Sequence, residues 1–191
     1  EEFLKTGTIR EVGPSELWYT SRTEFSPEAL GTELPAHKNS GFELLQGPAQ
    51  FEGEILGGCI DSMYEMFSGW RYGDMPEVCR NYGLFPSMDD WRGKILLMES
   101  CEEYMPPETY KKALETLQET GVFDAVSGVL VGKPMDDMYH EEYKKLLVSI
   151  IANKELPILC NINVGHAQPR CILPFGVPAH VDADAQVIRF G

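Results

Sequence analysis

The chain is most regular between residues 94 and 132, which read KILLMESCEEYMPPETYKKALETLQETGVFDAVSGVLVG. The apolar run at residues 94–99 is typical of a strand that is covered on both faces. Two consecutive prolines then open a helix with apolar residues at spacings of three and four, and Gly121 closes it. Residues 127–132, SGVLVG, predict a second buried strand. A strand, a helix and a strand in this order predict a right-handed parallel crossover.

The same alternation continues on both sides of this stretch. A second helix has its inner face within residues 143–151, and residues 157–163, PILCNIN, predict a third buried strand. Upstream, residues 51–60, FEGEILGGCI, predict a strand. The helical segment that follows has one apolar side, which we assign to core packing: Met63, Met66 and Phe67. Two short strands are expected near the C-terminus, at residues 179–181 and 186–190. The pattern predicts an α/β domain with parallel strands and crossover helices.

Residues 13–50 lack this periodicity. They carry scattered Gly, Pro, Ser and Thr together with isolated aromatic residues. We expect short strands at best here, joined by a long loop from about residue 20 to residue 47. A loop of that length in a compact domain is typically functional or mobile.

Composition argues against several classes of partner. A chain of 191 residues suits one sizeable domain. It carries 30 acidic residues against 16 lysines and arginines, a formal charge of −14, which disfavours nucleic acid and anionic membranes as partners. No apolar run approaches the roughly 18 residues that span a bilayer, and the N-terminal EEFLKTGTIREVG is no signal peptide.

The five cysteines, an odd number without a C-x-x-C pair, indicate reduced thiols in a cytoplasmic protein.

Two predicted strand ends carry residues suited to catalysis. Glu99 ends the strand of residues 94–99, and His166 follows the strand of residues 157–163 in the sequence Val-Gly-His. Ligands of open parallel sheets bind beyond the carboxyl ends of the strands. An imidazole with a pKa of about 6.5 suits a general base, and a neighbouring carboxylate would fix its tautomer. The pattern alone fits two solvated surface side chains as well.

The other histidines and a nearby acidic cluster form less complete sets. His37, His140 and His180 show no convincing partner in the sequence. Around His140 lies a cluster of carboxylates that could bind a cation: Asp136, Asp137, Glu141 and Glu142. The same residues would favour a helix N-terminus, with Glu141 and Lys145 as an i,i+4 pair. We expect no metal and no cofactor.

A nucleophile is harder to find. The sequence has no G-x-S-x-G turn that would present a strained serine. Cys59, directly after two glycines, is the only internal candidate. A cysteine at a strand end also fits a buried and inert thiol.

Four segments together resemble a known family. They are ILGGCID (residues 55–61), KILLMES (94–100), GVFDAVSGVLVGKP (121–134) and NVGHAQPRCILPFGVPAHVD (163–182). In this order they resemble the C-terminal domain of LD-carboxypeptidases, most of all the branch of the microcin C immunity protein. The resemblance runs over nearly the whole chain. It implies a small swivelling α/β domain from a two-domain serine peptidase with a Ser-Glu-His triad.

The resemblance assigns two members of that triad. The family's glutamate falls on Glu99 and its histidine on His166, whereas the serine has no counterpart in this chain. The resemblance therefore implies that residues 1–15 follow a missing N-terminal domain and that residues 16–191 are the C-terminal domain. It also implies that the chain alone is inactive, that its own N-terminal domain is a partner, and that homodimers are possible.

The resemblance further implies a substrate-binding role for two regions. Many relatives carry Asn where this chain has Cys59, which puts an amide contact from that position in doubt. The loop from residue 18 to residue 47 corresponds to a variable loop that shapes specificity. Its aromatic residues Trp18 and Phe42 could stack on a nucleoside or pack against their own domain.

These observations and the resemblance lead to three hypotheses for the function of the longer protein to which the chain would belong, called the parent protein here. In the first, the parent protein is a cytoplasmic serine peptidase that cleaves an amide, either in peptidyl or aminoacyl nucleotide antibiotics or in L,D-linked murein peptides. The alternative is a non-catalytic ligand-binding domain with the same fold. A third function is a cysteine hydrolase built within the chain from Cys59, His166 and Glu99.

Overall fold

A computed structural model describes residues 2–191, so residue 1 of the predicted N-terminal segment lies outside the described residues. The strands are β1 (Glu11–Val12), β2 (Leu17–Tyr19), β3 (Ala36–Lys38), β4 (Glu43–Gln46), β5 (Gln50–Cys59), β6 (Ile95–Glu99), β7 (Gly128–Gly132), β8 (Ile158–Ile162), β9 (Pro178–Asp182) and β10 (Val187–Phe190). The α-helices are α1 (Glu2–Thr6), α2 (Ile60–Ser68), α3 (Met75–Tyr82), α4 (Met88–Trp91), α5 (Pro107–Thr120), α6 (Val122–Ala125) and α7 (His140–Ile150). Single 3-10 turns lie at Pro27–Ala29 and Met135–Asp137.

Eight of the strands form one sheet with a parallel centre. Their order is β1-β10-β9-β5-β6-β7-β8-β4, and β2 and β3 form a separate hairpin. The four strands β5 to β8 are parallel to one another, whereas the flanking pairs are antiparallel. Helix α5 connects β6 to β7, and α7 connects β7 to β8. The predicted α/β class and its two crossover helices are confirmed.

The parallel strands are apolar along their length because the sheet is covered on both faces. In β6, Leu96 and Met98 belong to the core on the helix side, whereas Ile95 and Leu97 belong to a second core on the opposite side. All four side chains are almost fully buried. Each contributes roughly 1.5–3 kcal/mol by leaving water. These strands are thus a rigid base for residues placed at their ends.

Helices α5 and α7 pack together on one face of the sheet. The four residues predicted for the inner face of α5 are buried: Tyr110, Ala113, Leu114 and Leu117. Gly121 ends this helix with a φ of +84°, a conformation that glycine adopts without strain. The ring of Tyr110 stacks on that of Tyr143 in α7, with centroids 3.9 Å apart. This contact fixes the two crossover helices against each other.

The loop predicted from residue 20 to residue 47 is shorter than expected. β3 pairs with β2 in an antiparallel hairpin, and β4 pairs with β8 at the edge of the main sheet. The expectation of an unstructured segment is therefore wrong for residues 36–38 and 43–46. Strands of three and four residues are too short to show a period of two, so periodicity could not predict them.

The segment after β5 also differs from its prediction in part. Met63 is buried in the core, but Phe67 is exposed to 38% and makes an edge contact with Phe85. The assignment of Phe67 to the core is therefore wrong.

Helices α3 and α4 were not predicted because each buries a single side chain, Cys79 and Trp91 respectively.

Candidate active site

Glu99 and His166 meet beyond the carboxyl ends of the parallel strands. Glu99 is the last residue of β6, and His166 lies in the turn that follows β8. The Nδ1 atom of His166 lies 3.1 Å from Oε2 of Glu99. A carboxylate at Nδ1 orients the imidazole so that Nε2 is the nitrogen that exchanges a proton with a reactant. This geometry suits a general base and a carboxylate that positions it.

Two glycines make this contact possible. A Cβ atom on Gly165 would lie 2.5 Å from Oε2 of Glu99, and the φ of +89° at Gly165 is strained for any other residue. A Cβ atom on Gly132 would lie 2.9 Å from Cβ of Glu99. Gly132 ends β7, which lies between β6 and β8, so the Glu99 side chain passes over this strand to reach His166. Gly165 therefore makes room for the Glu99 side chain.

A second carboxylate contacts the other nitrogen of the imidazole. The Nε2 atom of His166 lies 2.9 Å from Oε2 of Glu102. The Glu102 side chain is 61% exposed, compared with 13% for Glu99. An exposed carboxylate contributes little stability and is easily displaced. Nε2 therefore lies on the accessible side of the pair, where a reactant could replace Glu102.

The carboxyl group of Glu99 lies in a partly dry, acidic environment. Burial raises its pKa, the charge of Asp61 raises it further, and the contact with His166 opposes both effects. Asp61 is itself buried and accepts a hydrogen bond from the backbone N–H of Cys101 at 3.1 Å. Asp61 was not among the site residues predicted from the sequence. Its position in the first turn of the helix after the glycine pair was the available signal.

Cys59 lies beside this pair but is not an activated nucleophile. It stands opposite Glu99 in the parallel pairing of β5 and β6. Its thiol donates to Oδ2 of Asp61 over 3.6 Å. Burial raises the pKa of Cys59, and the charges of Glu99 and Asp61 raise it further. A thiol in this environment stays protonated at neutral pH, which argues against the cysteine hydrolase.

Trp18 lies close to the turn that carries His166. The backbone N–H of Tyr19 donates to the carbonyl of Gln168 at 3.0 Å, which attaches β2 to that turn. The Trp18 ring stacks on His37 with centroids 4.2 Å apart, and Nζ of Lys133 lies 4.5 Å from the ring centroid. Trp18 therefore contacts residues of its own domain in this structure.

Phe42, the second aromatic residue considered for ligand stacking, is only 5% exposed and belongs to the core. The idea that Phe42 stacks on a nucleoside is wrong. Phe42 instead packs against its own domain, which was the alternative drawn from the sequence.

Lys133 is a buried charge that the sequence analysis missed. Its side chain is 4% exposed, and Nζ lies 2.5 Å from Oδ1 of Asp137 and 3.3 Å from Oδ1 of Asn161. Burial raises the pKa of Asp137, but hydrogen bonds with His140 and Lys133 outweigh this and lower it to about 2. The acidic cluster that could have held a cation thus includes a carboxylate that neutralises the protein's own lysine.

Two smaller expectations about charged residues are corrected, those for Glu141 and for the remaining histidines. Glu141 pairs with Lys144 at 2.5 Å rather than with Lys145. All three remaining histidines have partners: His37 with Thr20, His140 with Asp137, and His180 with Glu52. All five cysteines are free.

Residues 2–191 hold no group of three or more His, Cys, Asp or Glu side chains arranged to bind a metal ion. No helix within them is both long and apolar enough to cross a membrane.

Residues 52–181 match the family of the LD-carboxypeptidase C-terminal domain. The chain belongs to this family. The match confirms the resemblance drawn from four sequence segments, and the matched residues include Cys59, Glu99 and His166.

Individual members of the LD-carboxypeptidase family are similar over nearly the whole chain. The MccF-like protein of Streptococcus pneumoniae, solved in complex with AMP, is 56% identical with a TM-score of 0.96; the match covers 100% of this chain and 55% of that one. The microcin C7 self-immunity protein MccF of Escherichia coli is 25% identical, in an alignment that covers 96% of this chain and 50% of the relative. A structure of MccF with aspartyl sulfamoyl adenosine shares the fold, with a TM-score of 0.68 at 22% identity over 95% of this chain and 49% of that one. The chain thus spans about half the length of these relatives.

Proposed function

We propose that this chain supplies the general base of a serine-type hydrolase that cleaves an amide bond. The observation that carries the proposal is the contact of 3.1 Å between Oε2 of Glu99 and Nδ1 of His166, with Nε2 on the accessible side. Membership of the LD-carboxypeptidase family supports hydrolase chemistry.

In the proposed reaction a serine hydroxyl attacks the amide carbonyl while Nε2 of His166 accepts its proton. His166 then gives that proton to the leaving amine as the C–N bond breaks, and an acyl-serine ester remains. A water molecule, deprotonated by the same imidazole, hydrolyses this ester and restores the serine. Glu99 stays ionised throughout and stabilises the imidazolium that forms twice in the cycle.

The nucleophilic serine belongs to an N-terminal domain outside this chain in our proposal. Within the described residues, Nε2 of His166 contacts the carboxylate of Glu102 rather than a hydroxyl or thiol. Relatives about twice as long leave room for such a domain. Docking of that domain would displace the exposed Glu102 side chain and bring the serine to Nε2. The chain alone is then inactive, and the N-terminal domain is its first partner.

The relatives favour one substrate class over the other. One similar structure holds AMP, and another holds aspartyl sulfamoyl adenosine. We therefore infer an aminoacyl or peptidyl nucleotide substrate, with L,D-linked murein peptides as the second candidate. Trp18 would face the nucleoside if His37 moves from its ring, and Cys59 would lie beside the acyl group. The five free thiols agree with a cytoplasmic reaction, and a homodimer is part of the same proposal.

The test compares this chain with a longer protein that carries it behind its N-terminal domain. Both are incubated with an aminoacyl sulfamoyl adenosine and with an L,D-tetrapeptide, and the released amine is quantified. We expect cleavage by the longer protein and none by this chain. The longer protein should prefer the aminoacyl sulfamoyl adenosine to the L,D-tetrapeptide. Cleavage by the short chain would refute the divided triad. Failure of the longer protein on both compounds would favour the non-catalytic binding domain.

A further inference from the structure

One edge of β5 is unpaired next to the candidate active site. β5 pairs with β9 only over residues 50–54 and with β6 only over residues 55–59, on its opposite edge. Residues 55–59 are therefore paired on one side alone within residues 2–191. Such an edge presents backbone N–H and C=O groups that an extended ligand can pair with.

A cavity of about 220 Å³ adjoins this edge. The strand side is formed by residues 56–59, and the opposite side by α2 and the segment that leads into α4, with Met66, Phe85 and Trp91 among the lining residues. None of the lining residues is charged. A carboxylate bound here would lose its hydration without gaining a cation, so the cavity favours a neutral group.

The two glycines at this edge have different roles. A Cβ atom on Gly57 would lie 2.2 Å from the carbonyl oxygen of Leu97, so close packing of β5 on β6 requires glycine there. A Cβ atom on Gly58 would meet no atom within 4 Å. The space beside Gly58 is therefore open, and the strand surface is accessible to a ligand at this position.

Trp91 forms part of the cavity wall. The residue is 1% exposed, and its Nε1–H has no acceptor among the described residues. That nitrogen is itself buried, so Trp91 contributes an apolar ring surface to the cavity. Its indole N–H signal can still report on a ligand bound against the ring.

We propose that this cavity binds a neutral, mainly apolar side chain of the substrate. Cys59 lines the cavity and stands opposite Glu99 in the sheet, so the bound side chain would lie next to the amide that is cleaved. The inference rests on the proposed function for the identity of the substrate. It adds that the substrate residue bound here is an uncharged one, such as methionine, whose flexible apolar side chain fits irregular cavities.

The experiment measures binding to this chain, without any reaction. Indole N–H signals are recorded by NMR on the ¹⁵N-labelled chain, and the Trp91 signal is assigned with Trp91→Phe. N-acetyl-L-methioninamide and the α-amide of N-acetyl-L-aspartic acid are titrated separately; they differ only in the side chain. We expect the methionine compound to shift the Trp91 signal saturably and to bind at least about tenfold more tightly than the aspartate compound.

Two variants on α2 locate the site. Ser62 lines the cavity, so Ser62→Phe should fill it and weaken binding of the methionine compound by about tenfold or more. Ser68 is on the same helix, is exposed and lies outside the cavity, so Ser68→Phe should leave binding within about twofold. Equal binding of the two compounds, an unmoved Trp91 signal, or equal effects of the two variants would overturn the inference.

Failure of this inference can be told apart from failure of the proposed function. Binding of the methionine compound without hydrolysis by the longer protein would refute the hydrolase and leave the cavity assigned. Hydrolysis by the longer protein without binding at Trp91 would refute the cavity alone.

Discussion

Replacing Gly165 with alanine tests how closely the Glu99 side chain packs under the turn that holds His166. The new Cβ atom would lie 2.5 Å from Oε2 and 2.8 Å from Cβ of Glu99, and both distances are too short for non-bonded heavy atoms. Overpacking of this kind costs about 1–3 kcal/mol. The φ of +89° adds strain of about 1–2 kcal/mol for a residue with a side chain. We therefore expect Gly165→Ala to lower the free energy of unfolding by about 2–5 kcal/mol.

Gly176→Ala is the matched control for this variant. Gly176 has a φ of +69°, but a Cβ atom there would meet nothing within 4 Å. Its replacement should cost only the strain of about 1–2 kcal/mol. Urea unfolding, followed by circular dichroism, gives the loss in free energy of unfolding for each variant. The difference between the two losses is the cost of crowding Glu99. Equal losses in the two variants would show that Gly165 does not make room for Glu99.

Three further predictions concern charged and titrating groups. Asp137→Asn leaves Lys133 buried without its anion and should lower the free energy of unfolding, measured by urea titration, by about 2–3 kcal/mol. This figure is reduced from that of a fully buried pair because Asp137 is 41% exposed. Adding Lys133→Met should restore most of the lost stability, and no recovery would contradict the pairing of Lys133 with Asp137. The raised pKa of Glu99 means that the folded state binds the carboxyl proton of Glu99 more tightly than the unfolded state does. The stability that this proton contributes is therefore full below about pH 4.5 and is lost as the pH rises through the pKa of the folded state. Glu99→Gln should therefore flatten that part of the pH–stability curve, and an unchanged slope would refute the shift. The raised pKa of Cys59 predicts slower alkylation by iodoacetamide at neutral pH than for free cysteine; mass spectrometry showing faster alkylation would revive the cysteine hydrolase.

The central strands were predictable because burial on both faces leaves a mark in the sequence. β6, β7 and β8 are runs of apolar residues, and each lies within one residue of its predicted bounds. Helix α5 was equally clear, since its inner face repeats at spacings of three and four and a glycine ends it. Placing Glu99 and His166 at the same edge then required only that the strands be parallel.

The remaining parts of the site depend on contacts between distant segments, which the sequence does not display. Lys133 looks like any surface lysine until Asp137 and Asn161 close around its ammonium group. Asp61 looks like a helix-start carboxylate until the folded chain buries it beside Glu99. Side-chain burial of this kind is set by how elements pack, so periodicity alone could not reveal it.

The most direct test of the account is the kinetics of the longer protein with single substitutions in this chain. His166→Ala should lower kcat for an aminoacyl sulfamoyl adenosine by about 10⁴-fold, and Glu99→Gln should lower it by about 10²-fold or more, with urea midpoints unchanged in His166→Ala. His180→Ala is the control, because His180 contacts only Glu52 among the ion pairs described, away from the pair, and it should stay within about twofold of the unsubstituted protein. Activity retained by His166→Ala would contradict the assignment of His166 as the general base.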